Sequence, residues 1–161
     1  MPRAKPDRFN AVMDFAYWLL FSRMNVLVRG AGLSAYLGFL HSPKDHYESL
    51  VYDLIEPFRF RMDRLVLNCL HLRSLRPEHC EQLEAGKPWR LAREGMAVLV
   101  EAFEKDLATQ RRGEPGSLRQ ILVAQVNLLE KWAMTDGDLQ IYPLLHSLPD
   151  ASPAFGKVRN M

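Results

Sequence analysis

The chain has 161 residues, 48% of them hydrophobic and 25% charged, which is the profile of one soluble globular domain with a core of its own. Those proportions exclude a disordered tail, a collagen-like fibre and a multidomain machine. Twenty-one Lys and Arg against nineteen Asp and Glu leave a net charge of +2, so any surface for nucleic acid or membrane must come from local clustering.

Two cysteines, Cys69 and Cys80, are too few for a disulfide framework and point to a reduced, cytoplasmic setting. The longest unbroken apolar stretch, Phe15 to Phe21, falls far short of the roughly 20 residues that span a bilayer. The basic start before Asp7 lacks the apolar segment of a signal peptide, and no membrane partner is expected.

After the Pro-containing lead, Asp7 is placed to cap a helix running to about Val28. That helix is apolar nearly all round, with Phe9, Val12, Met13, Ala16, Trp18, Leu19, Leu20, Met24 and Leu27, and so belongs in the centre of a bundle. Gly30 to Gly32 ends it, a short connection carries Tyr36 to His41, and a polar loop through His46 leads to a second helix. There Val51, Leu54, Ile55, Phe58, Met62, Leu65, Val66, Cys69 and Leu70 recur at three- and four-residue intervals. Pro57 predicts a kink in this pattern, since it has no N–H and disfavours helical geometry at Glu56. Ser74 to Leu83 reads as a short helix and Ala85 to Pro88 as a break. Leu91 to about Thr109 reads as a third long helix with Val98, Leu99, Ala102, Phe103 and Leu107 inward. Arg111 to Gly116 is an exposed turn, and Ser117 with Gln120 forms a capping box for a fourth helix through Trp132. Glycines and prolines break the pattern beyond, giving a helical domain over residues 1–133 and an irregular tail over 134–161. Nothing alternates as a strand does, and the expected fold class is all-α.

Three constellations could carry chemistry. His41 followed by Asp53 and Glu56 places an imidazole on a loop before two carboxylates one helical turn apart, a donor set that suits Mn²⁺ or Mg²⁺. The plainer reading of these residues is a solvated helix face beside an unrelated loop histidine. Arg59, Arg61 and Arg64 on the same helix, with His71, Arg73 and Arg76 beyond, could hold phosphates; alternatively Arg59 pairs with Asp63 and Arg61 is simply exposed. Cys69, His71, His79 and Cys80 are zinc-ligand types, but their spacing matches no usual zinc pattern and Cys69 falls on the apolar stripe, so a buried thiol is expected. His46 and His146 read as exposed loop residues, and no phosphate loop or nucleophile motif occurs.

The run Asn10 to Tyr17, then Gly32-Leu, then Tyr36-Leu-Gly-Phe-Leu-His41, then Asp53-Leu-Ile-Glu-Pro-Phe-Arg59, resembles the catalytic helical domain of the CRISPR-associated endonuclease and integrase of spacer acquisition. The likeness extends more weakly through Leu91 to Gly95 and Glu101 to Glu104, and on to Gln125. It implies a metal-dependent enzyme, a homodimer assembled with a second, smaller adaptation subunit, that joins the 3′-hydroxyl ends of a captured duplex to a CRISPR repeat. By position, His41 and Glu56 match metal ligands, Asp53 their acidic companion, and Arg59 a phosphate-binding or supporting group. Asn10 and Tyr17 match positions that shape the site. The family also has an upstream glutamate ligand and an N-terminal β domain, whereas the first glutamate here is Glu48; Ser34-Ala35 replace the usual Asp-Pro. The expectation is a C-terminal part of such a protein, with weak metal binding and impaired activity. The alternative is a non-catalytic helical module that binds DNA, double-stranded or branched, or a partner protein through the region Arg59 to Arg76.

Overall fold

The computed structural model describes residues 7–40, 47–82 and 88–134. His41, His46, His146, the break at 85–87 and the tail from residue 135 onward lie outside the described residues.

Asp7 caps the first helix, α1 (Arg8–Gly30), by accepting the amide of Asn10 at 2.8 Å. Its other end closes in a Schellman motif. Leu33 N donates to Val28 O and Gly32 N to Arg29 O, with Gly32 at φ +71°, where a side chain is strained. Val12, Met13, Ala16, Leu20, Met24 and Val28 form one buried stripe. The helix is long and apolar enough by composition to cross a membrane, and in this fold it is the shaft on which the other four helices pack. Phe9 and Trp18, expected inward, are about half exposed.

Pro57 divides the second amphipathic segment as its chemistry requires. It has no N–H for the carbonyl four residues back, so α2 (Ser49–Ile55) ends. A 3-10 turn covers Glu56–Phe58 and α3 (Arg59–His71) restarts. Of the apolar positions read along this pattern, Val51 to Cys69 are all buried and only Leu70 lies at the surface.

The expected helix from Ser74 to Leu83 does not form. Pro77 holds Arg76 extended before it (φ −131°, ψ 161°), and the chain makes only a 3-10 turn at Pro77–His79. It then enters strand β1 (Cys80–Glu81), paired antiparallel with β2 (Arg90–Leu91). These two-residue strands are too short to show an alternating pattern, and the fold remains a helical bundle.

Helix α4 (Arg93–Ala108) buries Leu99, Phe103 and Leu107, with Val98 and Ala102 partly covered. A turn closed by a bridge between Gln110 and Ser117 leads to α5 (Leu118–Met134). Ser117 N donates to Gln120 Oε1 at 2.9 Å and Gln120 N to Ser117 Oγ at 3.4 Å, completing the expected capping box.

Candidate functional site

The site grows from the first turns of α2. Ser49, fully buried, donates its hydroxyl to Tyr36 O at 2.6 Å and accepts Gly38 N at 3.0 Å. One turn further, Asp53 is also fully buried, and its Oδ2 accepts Phe39 N at 2.6 Å and Leu40 N at 2.9 Å. A buried carboxylate needs such donors, and here they come from the segment that leads to His41. The fit leaves no room for a side chain at residue 38: a Cβ there would lie 2.6 Å from Asp53 Oδ2 and 2.8 Å from Ser49 Cβ.

Asp53 and Glu56 do not share a surface. Residues three apart on a helix differ by about 60° around the axis, enough to fall on opposite sides of a burial boundary. Asp53 faces the core, while Glu56, in the 3-10 turn, stands half in water. Glu56 Oε2 pairs with Arg59 at 3.2 Å. The Arg59 guanidinium lies 4.7 Å from the centre of the Tyr17 ring, and the Tyr17 hydroxyl donates to Asp63 Oδ1 at 2.5 Å. Arg59 therefore pairs with Glu56 and not with Asp63, whose carboxylate is used to hold Tyr17. The Tyr17 phenol titrates above its ordinary value because it is partly buried and donates to Asp63, with Arg59 opposing the shift. Burial works against the charge of Arg59, yet its hydrogen bond to Glu56 and its contact with Tyr17 raise it overall.

Beside this group stands Tyr47, whose ring stacks on Tyr52 at 4.7 Å; Tyr52 in turn lies 5.0 Å from Phe21 on α1. Burial, the Tyr52 ring hydroxyl and the charges of Asp53 and Glu56 all raise the Tyr47 phenol. Tyr47 was not singled out in the sequence, and Asp63 was read there only as a partner for Arg59. Each is legible only once α1, α2 and α3 are brought together.

The arginines divide. Arg64 is exposed on α3. Arg73, in the left-handed region at φ 56°, and Arg76 line a groove of about 530 Å³ with Leu70, Leu75, Pro77 and Glu78 at the far end of the helix. Twelve residues of helix separate the two ends of α3, roughly 18 Å. Arg61 corrects the expected basic surface, and equally the plainer view that it is exposed. It is 2% exposed, and binds Glu114 at 2.7 Å and Asp106 at 3.4 Å; Arg111 also pairs with Asp106. Its charge is spent tying α3 to the last turn of α4, at Asp106, and to the turn beyond it, at Glu114.

Cys69 is a buried free thiol, as its place on the apolar stripe implies, and so is Cys80; burial raises both. Among the described residues no group of three His, Cys, Asp or Glu side chains is arranged to hold a metal.

Residues 1–105 match the family model described as CRISPR associated protein Cas1. A CRISPR-associated endonuclease Cas1 of Thermus thermophilus is 38% identical over 106 residues, covering 65% of this chain and 33% of that protein. A solved Cas1 protein from Thermotoga maritima superposes with a TM-score of 0.73 at 25% identity, over 84% of this chain and 43% of the other. A casposase bound to integration product has the same fold, with a TM-score of 0.73 at 23% identity over 85% of this chain and 41% of that one. The chain thus spans about a third of the Thermus protein and about two fifths of each solved chain. The matched span contains α1, the clamped segment before His41, and the bend at Glu56 and Arg59, and on that match the chain belongs to the Cas1 family of CRISPR-associated proteins.

Proposed function

We propose that this chain carries the helical, catalytic-type part of a metal-dependent DNA endonuclease and integrase that inserts captured fragments into a CRISPR array. The observation that carries the reading is the half-exposed Glu56 carboxylate at the Pro57 bend, already paired with a cationic group, Arg59, and set one turn beyond the clamp on the segment entering His41. A hard oxygen donor that accepts a guanidinium is chemically suited to Mn²⁺ or Mg²⁺, so Glu56 fits such an ion, with His41 as its partner in the donor set. Bound there, the ion supplies polarisation of a phosphodiester and stabilises charge on its oxygens.

The chain's own residues do the rest. Asp53 acts from the core, as the acceptor that fixes Phe39 and Leu40. Arg59, with Arg64, Arg73 and Arg76, is assigned to DNA phosphates. Double-stranded or branched DNA, a second adaptation subunit and a second copy of the chain are the partners this reading implies, in the cytoplasm. Titration with Mn²⁺ and a nuclease assay on branched DNA test it. Cleavage by the chain should be weak, and Mn²⁺ binding should fall at least tenfold in Glu56→Gln; binding unchanged in that variant overturns the reading.

The groove at Arg73 and Arg76 favours a second reading, a non-catalytic DNA- or protein-binding module. DNA binding that survives Glu56→Gln but collapses in the double variant Arg73→Ala with Arg76→Ala supports it.

A further inference from the structure

We propose that Arg59 and a divalent cation compete for the Glu56 carboxylate, and that Tyr17 is a positioning residue that keeps the displaced guanidinium at the site, so that cation and DNA phosphate bind cooperatively. The proposal rests on the metal-dependent reading above and adds a coupling between its two ligands.

Three contacts carry it. Arg59 NH1 lies 3.2 Å from Glu56 Oε2, so the carboxylate is neutralised by a side chain three residues away. The same guanidinium lies over the Tyr17 ring at 4.7 Å, and Tyr17 is fixed by the 2.5 Å bond from its hydroxyl to Asp63 Oδ1. Asp63 stands one turn beyond Arg59 on α3, so α1 supplies the ring and α3 supplies both groups that hold it.

An arginine cannot discharge itself, so when a cation takes Glu56 the guanidinium must find another anion or remain on a neutral surface. The ring offers that surface. A guanidinium has five N–H donors, so contact with the Tyr17 ring and hydroxyl leaves others to donate to phosphate oxygens. Arg59 bound to phosphate no longer neutralises Glu56, and Glu56 bound to a cation no longer holds Arg59. Each ligand therefore assists the other, and linkage makes the assistance reciprocal.

The test measures Mn²⁺ binding to the full chain by electron paramagnetic resonance, with and without a double-stranded oligonucleotide at fixed ionic strength. Circular dichroism checks that each variant is folded. Without DNA, Arg59→Met should bind Mn²⁺ about three- to fivefold more tightly, the scale set by a half-exposed ion pair. Oligonucleotide should tighten Mn²⁺ binding to the natural chain by a larger factor than to Arg59→Met. Tyr17→Leu should lose part of that enhancement, and Tyr17→Phe, which keeps the ring, should retain more of it. If Mn²⁺ affinity depends on Glu56 but Arg59→Met changes neither the affinity nor its enhancement by DNA, the coupling is overturned and the metal reading stands. If Glu56→Gln leaves Mn²⁺ binding unchanged, both are overturned.

Discussion

Asp53 and Gly38 define each other. The carboxylate oxygen that accepts the amides of Phe39 and Leu40 sits where a side chain on residue 38 would have to go, 2.6 Å from its Cβ position. Gly38→Ala should therefore destabilise the fold by about 1–3 kcal/mol through overpacking against a buried charge. Asp53→Ala removes the acceptor from two amides and should cost about 1–3 kcal/mol for each one left unpaired. Asp53→Asn keeps an acceptor oxygen and should recover more than half of that loss. Urea unfolding of the three variants checks the order.

Arginines that look alike in the sequence should behave differently. Arg61 is buried between Asp106 and Glu114, so Arg61→Ala removes the partner of Glu114 and leaves Asp106 to Arg111 alone, and should cost about 3 kcal/mol. Arg64→Ala, on the exposed face, should stay within about 0.5 kcal/mol of the natural chain. If Arg64 contacts phosphate, its loss should reduce the slope of log affinity against log salt by about 0.9. Thermal melts and DNA titrations at several salt concentrations separate the two effects.

Alkali should weaken the fold through its tyrosines. Partial burial and the bond to Asp63 hold the Tyr17 phenol above its ordinary value of 10.0. The unfolded chain then loses its proton first, so the contribution is complete below about pH 10 and is lost as pH rises through the folded pKa. Burial also raises the Tyr47 phenol. Tm measured from about pH 9 to 11 should fall, and Tyr17→Phe should flatten part of the fall.

The two thiols begin the same decline near their ordinary value of 9.0, since burial raises Cys69 and Cys80. Both should react with an aromatic disulfide reagent at least tenfold more slowly in the native chain than in urea. Equal rates in the two conditions contradict the burial of these side chains.

Local chemistry was the legible part of this fold. Asp7 before an apolar helix, Gly32 after it, Pro57 inside a helical pattern and Ser117 with Gln120 each act on neighbours a few residues away, and each does in the structure what its chemistry requires. The paired strands at Cys80 and Leu91 were not legible, because two residues cannot display a period. Long-range partners were hidden for another reason. Arg61 meets Glu114 across 53 residues, and Tyr17 meets Asp63 across 46, so the sequence offered the charges without their pairing. Asp53 showed its acidity but not its direction, which depends on where the surface of the bundle cuts across α2.

The ring of Tyr52 is a relay between helices. Tyr47 lies flat on it, and Phe21 of α1 meets it at 5.0 Å. A substitution that tilts Tyr47 therefore reaches α1 through a single ring, whereas one that moves Leu40 reaches α2 through the buried carboxylate of Asp53. Two neighbours of the same site are thus read out by different helices.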